Sequence, residues 1–232
     1  WIDALVNYLT GLGFPDGELW RCTWRQGTRR VHVIGKNVWK FHAAYWPALL
    51  LAAGFDPPDQ IVVHGFLTQD GRKISKSRGD AADPFDYVER FGADALRYFL
   101  LRHVRPFADS DFSEARLAEA YQAELANGLG NLVSRIASMA AKYRGGLLRA
   151  PSGSSDALRR RAEAVRDRYV REMEALALQE GTNTAFDLFH AVNEFITASE
   201  PWVLAKDEAN AERLSRVLYD AAEATRIAAT LL

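Results

Sequence analysis

At 232 residues, 48% of them hydrophobic and 25% charged, with a net charge of −1, the chain has the balance of a soluble globular protein of one large or two ordinary domains. That balance excludes wholesale disorder, and no apolar run approaches the roughly 20 residues a spanning helix needs; without a signal-like start either, a cytoplasmic location is expected. The single cysteine, Cys22, can neither close an internal disulfide nor by itself form a tetrahedral zinc site; it is read as structural, and no metal site is expected.

In chain order, Ala4, Leu5, Tyr8 and Leu9 recur at helical spacing, Val31-His-Val-Ile34 is a short β-branched run, Val38 to Ala53 reads as an apolar helix, and Ile61 to Leu67 as a strand. Short strands alternating with helices argue for an α/β layer. Gln69-Asp70-Gly71 supplies a turn into the run Gly71-Arg-Lys-Ile-Ser-Lys-Ser-Arg-Gly79. Asp83 and Pro84 then open a helix as N-cap and first helical residue, and Gly92 interrupts it before Ala93 to His103. Beyond Asp111 the strand signals vanish. Leu117, Tyr121, Leu125, Leu129, Leu132, Ile136, Ala140 and Tyr143 form the stripe of one long amphipathic helix that Gly145-Gly146 ends. A loop-like linker, Ala150-Pro-Ser-Gly-Ser-Ser155, precedes helices expected at roughly 156–180, 183–199 and 207–230, an antiparallel bundle. The fold class is therefore α/β followed by all-α, divided at Asp111.

The run from Gly71 to Gly79 carries the strongest chemistry. Lys73 and Lys76 alternate with Ser75 and Ser77 between two glycines, giving two compact cations and extra donors on a mobile backbone. Such a loop suits a triphosphate whose leaving group gathers negative charge. Lys73-Ile-Ser-Lys-Ser77 resembles the KMSKS loop of class I aminoacyl-tRNA synthetases, with Ile74 in the methionine's place. The segments Trp1-Ile-Asp-Ala-Leu-Val-Asn-Tyr8, Val33-Ile-Gly-Lys-Asn37, Phe41-His42 and Tyr45-Trp-Pro47 precede it in the order seen in methionyl-tRNA synthetases. Asp83-Pro-Phe85, Gly92-Ala-Asp-Ala-Leu-Arg-Tyr98, Gly130-Asn-Leu-Val-Ser-Arg135 and Glu200-Pro-Trp202 extend the resemblance over nearly the whole chain.

The resemblance implies the C-terminal half of a Rossmann-like catalytic domain over 1–111 and a helical anticodon-binding domain over 112–232, truncated at its C-terminus. It implies ATP with Mg2+ and methionine as substrates and tRNA(Met) as partner. It assigns Lys76 to the departing pyrophosphate, with Lys73 aiding binding or loop closure. Lys73, Ser75, Lys76, Ser77, His64, Gly65 and Asn37 fall to ATP, Gly65 by letting backbone approach adenine. Trp1, Tyr8 and His42 fall to the methionine pocket, and Asn131, Arg135, Pro201 and Trp202 to the anticodon. Asn37 and Asp80 stand where the family commonly has aspartate and asparagine. The HIGH half of the nucleotide fold has no counterpart in these residues, so the chain is expected to be a fragment that does not activate methionine alone.

Residue chemistry is compatible with these assignments but does not force them. A thioether side chain wants aromatic walls and few polar contacts, yet Trp1, Tyr8 and His42 would also serve as ordinary core residues. Asn131 and Arg135, four apart on one helical face, and Trp202 suit splayed single-stranded bases, although Trp202 would equally suit helix packing. Another class I synthetase, an RNA-binding module without catalysis, and an inactive remnant stay open as readings. The arginine-rich stretch 159–171 alternates with acids and reads as a solvated, ion-paired helix face.

Overall fold

The computed structural model describes residues 2–24, 28–69, 72, 73, 83–150 and 156–232. The chain forms two compact units, one of residues 1–73 with 106–110 and the other of 74–105 with 111–232. This differs from the division expected at Asp111. The reason is packing: Tyr98 meets Phe186 with ring centroids 5.5 Å apart, which ties the helix from Ala93 to the helical bundle.

The first unit opens with two helical turns, α1 (Ile2–Leu5) and α2 (Asn7–Thr10), and the strand β1 (Val31–Gly35). A wide π-type turn, Phe41–Tyr45, then leads into α3 (Trp46–Ala52). Strand β2 (Gln60–His64) pairs in parallel with β1, from Val31 opposite Gln60 to Gly35 opposite His64. Alternation along β1 buries His32 and Ile34 and exposes Val31 and Val33, the period-two pattern of a strand covered on one face. Leu5, Leu9, Trp20, Trp46 and Leu50 form this unit's core, with Trp20 packed against Phe14, Trp24 and Phe55. Cys22 is not part of it and is exposed.

The strand expected over Ile61–Leu67 is two strands. β2 stops at His64, and β3 (Leu67–Gln69) pairs antiparallel with β4 (Arg72–Lys73), Thr68 opposite Lys73 and Gln69 opposite Arg72. The break falls at Gly65, whose N–H donates to Pro106 O at 3.0 Å; beyond it, Ser110 N–H donates to Phe66 O. A Cβ at Gly65 would lie 2.2 Å from Ala108 O, a distance no side chain tolerates. On its Cβ side, the close approach that Gly65 permits is made by the chain's own backbone.

In the second unit, Asp83 caps α4 (Pro84–Phe91) by accepting from Phe85 N–H at 3.0 Å, and Gly92, at φ 86°, separates it from α5 (Ala93–His103), both as expected. The single helix expected from Leu117 to Tyr143 is three segments: α6 (Glu114–Ala120), a π-type stretch at Tyr121–Gly130, and α7 (Asn131–Arg144). Leu117, Tyr121, Leu125 and Leu129 are spaced by successive steps of four, which overshoot a helix of about 3.6 residues per turn. A wider turn takes up the overshoot and keeps Leu125 and Leu129 against the core. Gly145, in the left-handed region at φ 60°, ends α7 as expected.

Helices α8 (Asp156–Glu174) and α9 (Leu178–Ser199) meet at residues 175–177 rather than near 181. Gly181 lies buried inside α9, with Met173 Sδ of α8 2.6 Å from where its Cβ would be. α10 (Pro201–Leu204) and α11 (Ala211–Thr230) follow. The core is sealed by Leu188, Val192 and Ile196 of α9 and by Leu214, Leu218 and Ala221 of α11. Arg168 pairs with Glu172 at 2.8 Å and Asp187 at 3.3 Å, and Arg166 with Asp167 at 2.7 Å, so this arginine-rich face is solvated and ion-paired. Among the described residues, no helix is long and apolar enough to cross a membrane.

Candidate functional site

In the first unit, Tyr8 and His42 come together. The Tyr8 hydroxyl lies 2.9 Å from His42 Nε2, and His42 Nδ1 lies 3.0 Å from Val38 O. A carbonyl only accepts, so the hydrogen-bond network assigns the proton to Nδ1 and leaves Nε2 to accept from the phenol. The wide turn at Phe41–Tyr45 sets His42 facing α2, where it is buried, whereas Tyr8 keeps an accessible ring. His32 meets Tyr8 edge-on with centroids 4.4 Å apart, and Trp46 lies behind at 5.8 Å. The result is an accessible aromatic surface with one fixed hydroxyl, suited to a flexible, polarizable side chain. Trp1 lies outside the described residues.

His32 escaped the sequence reading, although strand alternation marks it as inward-facing. Burial lowers its pKa from the usual 6.5, and the nearby His42 and Arg30 lower it further. Neutral His32 is thus favoured in the fold, while the unfolded chain takes up the proton at higher pH. This contribution to stability is present above about pH 6.5 and is lost as pH falls through the lowered folded value. His103, lowered by burial, Arg102 and Arg116, adds an effect of the same sign. We expect the melting temperature to drop between about pH 7 and about pH 5, and His32→Phe to flatten part of that slope; a slope unchanged in the variant would contradict this.

A second cluster forms at the carboxyl ends of the parallel strands, where open α/β sheets place ligands. Gly35 and His64 are register partners, and Lys36 N–H donates to His64 O at 3.1 Å. Asn37 and His64 converge over Gly35, where a Cβ would lie 2.9 Å from Asn37 Oδ1 and 3.6 Å from His64 Cε1. Beside them, a cavity of about 300 Å³ is lined by Lys36, Val63, His64, Gly65, Phe107, Ala108 and Asp109. Lys36 Nζ lies 2.5 Å from Asp109 Oδ2, and Asp109 Oδ1 accepts from Phe66 N–H at 2.8 Å. An ion pair this exposed adds little stability, but it joins the end of β1 to the segment after α5, whose Asp109 also holds the turn after β2 through Phe66 N–H. Of the lysine loop, Lys73 lies opposite Thr68 in β4, while Ser75, Lys76, Ser77 and Asp80 lie outside the described residues.

In the second unit, Asn131 and Arg135 stand exposed on α7 beside the buried Leu132 and Ile136. Arg135 Nη2 donates to Asn193 Oδ1 on α9 at 2.6 Å. Glu200, left-handed at φ 43°, turns the chain into α10. Pro201 is fully buried there and Trp202 is 42% exposed. Pro201, expected among the anticodon contacts, therefore has no surface to offer. Its fixed φ starts the helix that presents Trp202.

The sequence profile of the family described as tRNA synthetases class I (M) matches residues 1–137, more than half the chain. The chain belongs to this family. Its relatives include methionine–tRNA ligases of Clostridium perfringens, 39% identical over all of this chain and 36% of that protein, and of Mycobacterium tuberculosis, 40% identical over all of this chain and 46% of that protein. Among solved structures, the M. tuberculosis methionyl-tRNA synthetase bound by methionyl-adenylate matches with a TM-score of 0.89 at 40% identity, covering all of this chain and 46% of that one. Its apo form matches with a TM-score of 0.86 at 38% identity. The chain thus spans less than half the length of these family members.

Proposed function

We propose that this chain supplies one wall of a methionine-activating site and the helices that read the anticodon of tRNA(Met), within a methionine–tRNA ligase. Residues 1–111 are in sequence the C-terminal part of the Rossmann-like catalytic domain, with α5 packed onto the bundle, and 112–232 are the helical anticodon-binding domain. The observation that carries the reading is the Tyr8–His42 pair, 2.9 Å apart on an accessible aromatic surface, in a chain of this family. A relative's structure holds methionyl-adenylate, the product such a site would form.

The chemistry follows from charge. The methionine carboxylate attacks the α-phosphorus of ATP, the bond to the bridging oxygen breaks, and negative charge grows on pyrophosphate. Lys76 stabilises that charge, Lys73 and the hydroxyls of Ser75 and Ser77 help hold the phosphates, and Mg2+ enters with ATP as part of the substrate. Asn37 and His64 face the nucleotide; asparagine at position 37 keeps the hydrogen bonds of an aspartate without its charge. Methionine then passes from the adenylate to the terminal ribose of the tRNA, in the cytoplasm.

The test is amino-acid-dependent ATP–pyrophosphate exchange by the complete protein that contains this chain. Methionine is expected to support exchange and leucine, isoleucine, valine and cysteine to fail. Exchange driven by one of those four would assign the chain to another specificity, and none with any amino acid would leave a binding module or remnant.

A further inference from the structure

We propose that Asn193 is a positioning residue for Arg135, holding its guanidinium in the orientation that meets an anticodon base. The inference rests on the proposed anticodon reading and adds to it a residue the sequence did not suggest. Arg135 is exposed on α7, and a long side chain in water has many rotamers to lose before it can read a base edge. Asn193 removes part of that freedom, because its Oδ1 accepts from Arg135 Nη2 at 2.6 Å. Arginine has five N–H donors in a planar fork, so one anchored nitrogen leaves the others available to an unstacked base.

The anchor is itself fixed. Asn193 Nδ2 donates to Phe189 O at 3.1 Å, one turn back along α9. With the amide nitrogen so committed, the amide oxygen faces the guanidinium. The backbone beneath it is rigid: the adjacent Val192 and Ile196, one turn on, are both 0% exposed in the bundle core, and Phe189 is 4% exposed. Core packing of α9 is thereby transmitted through one amide to a charged group on the surface of α7. An arginine pre-set in this way binds with less ordering cost than a free one.

The experiment uses the complete protein and two RNA hairpins, one with a CAU loop and one with those three bases scrambled, and reads the ratio of their affinities together with the melting temperature. Asn193→Ala is expected to lower the CAU preference by about fivefold to tenfold, as for loss of one solvent-exposed hydrogen bond, with the melting temperature unchanged. In an Arg135→Ala background the same substitution is expected to add nothing. Should alanine disturb the helix, Asn193→Leu keeps the volume without the acceptor, and the same loss is expected. Equal losses with and without Arg135 would show a general structural role and overturn the proposal. An unchanged preference in both Asn193 variants, while Arg135→Ala abolishes it, would overturn the positioning and leave the anticodon reading intact. No effect of Arg135→Ala itself would remove the reading and the proposal with it.

Discussion

Lys76→Ala in the complete protein is expected to slow methionyl-adenylate formation by about 10²–10³-fold, the usual cost of one preorganised donor on developing charge, with methionine affinity nearly unchanged. The asymmetry follows from timing. Before attack, ATP spreads its charge over three phosphates; in the transition state charge gathers on the departing pyrophosphate, and only then does an ammonium aimed there gain most. Lys73→Ala is expected to be milder. Pre-steady-state measurement of adenylate formation against methionine concentration separates rate from affinity. Equal losses in both for Lys76→Ala would indicate a structural lysine.

Trp202→Ala is expected to weaken binding of a CAU hairpin by about 5- to 150-fold, from about 1–3 kcal/mol per stacked base, and to leave a scrambled hairpin and the melting temperature almost unaffected. Trp202 is 42% exposed while its neighbours Pro201 and Leu204 are buried. Those neighbours seat the turn in the core, and part of the indole stays open to a base. A fall in melting temperature with no loss of hairpin discrimination would return Trp202 to that role.

What the sequence made legible is what local rules decide. The Asp83 cap, the interruption at Gly92 and the left-handed end at Gly145 depend on a few adjacent residues, and each stands where expected. What it hid depends on partners far along the chain. The packing of Gly65 against Ala108, more than forty residues away, could not be read from the local sequence. The π-type stretch was visible as repeated four-residue steps but carries no residue signature of its own. At the candidate sites, Tyr8, His42, Asn131 and Arg135 were found through resemblance. Their supports, His32 and Asn193, were missed because only the fold brings β1 against α2 and α9 against α7.

Charging of tRNA by the complete protein tests the whole account most directly, since it requires the methionine site, the lysine loop and the anticodon helices together. Aminoacylation would be measured with tRNA(Met) transcripts carrying either CAU or an exchanged anticodon, each supplied with methionine. Methionine charging of the CAU transcript is predicted, with a large fall in kcat/KM when the anticodon is exchanged, because a wrong base edge leaves the hydrogen-bonding groups of Asn131 and Arg135 unpaired. Equal charging of the two transcripts, or charging of the CAU transcript with leucine, isoleucine, valine or cysteine in place of methionine, would contradict it.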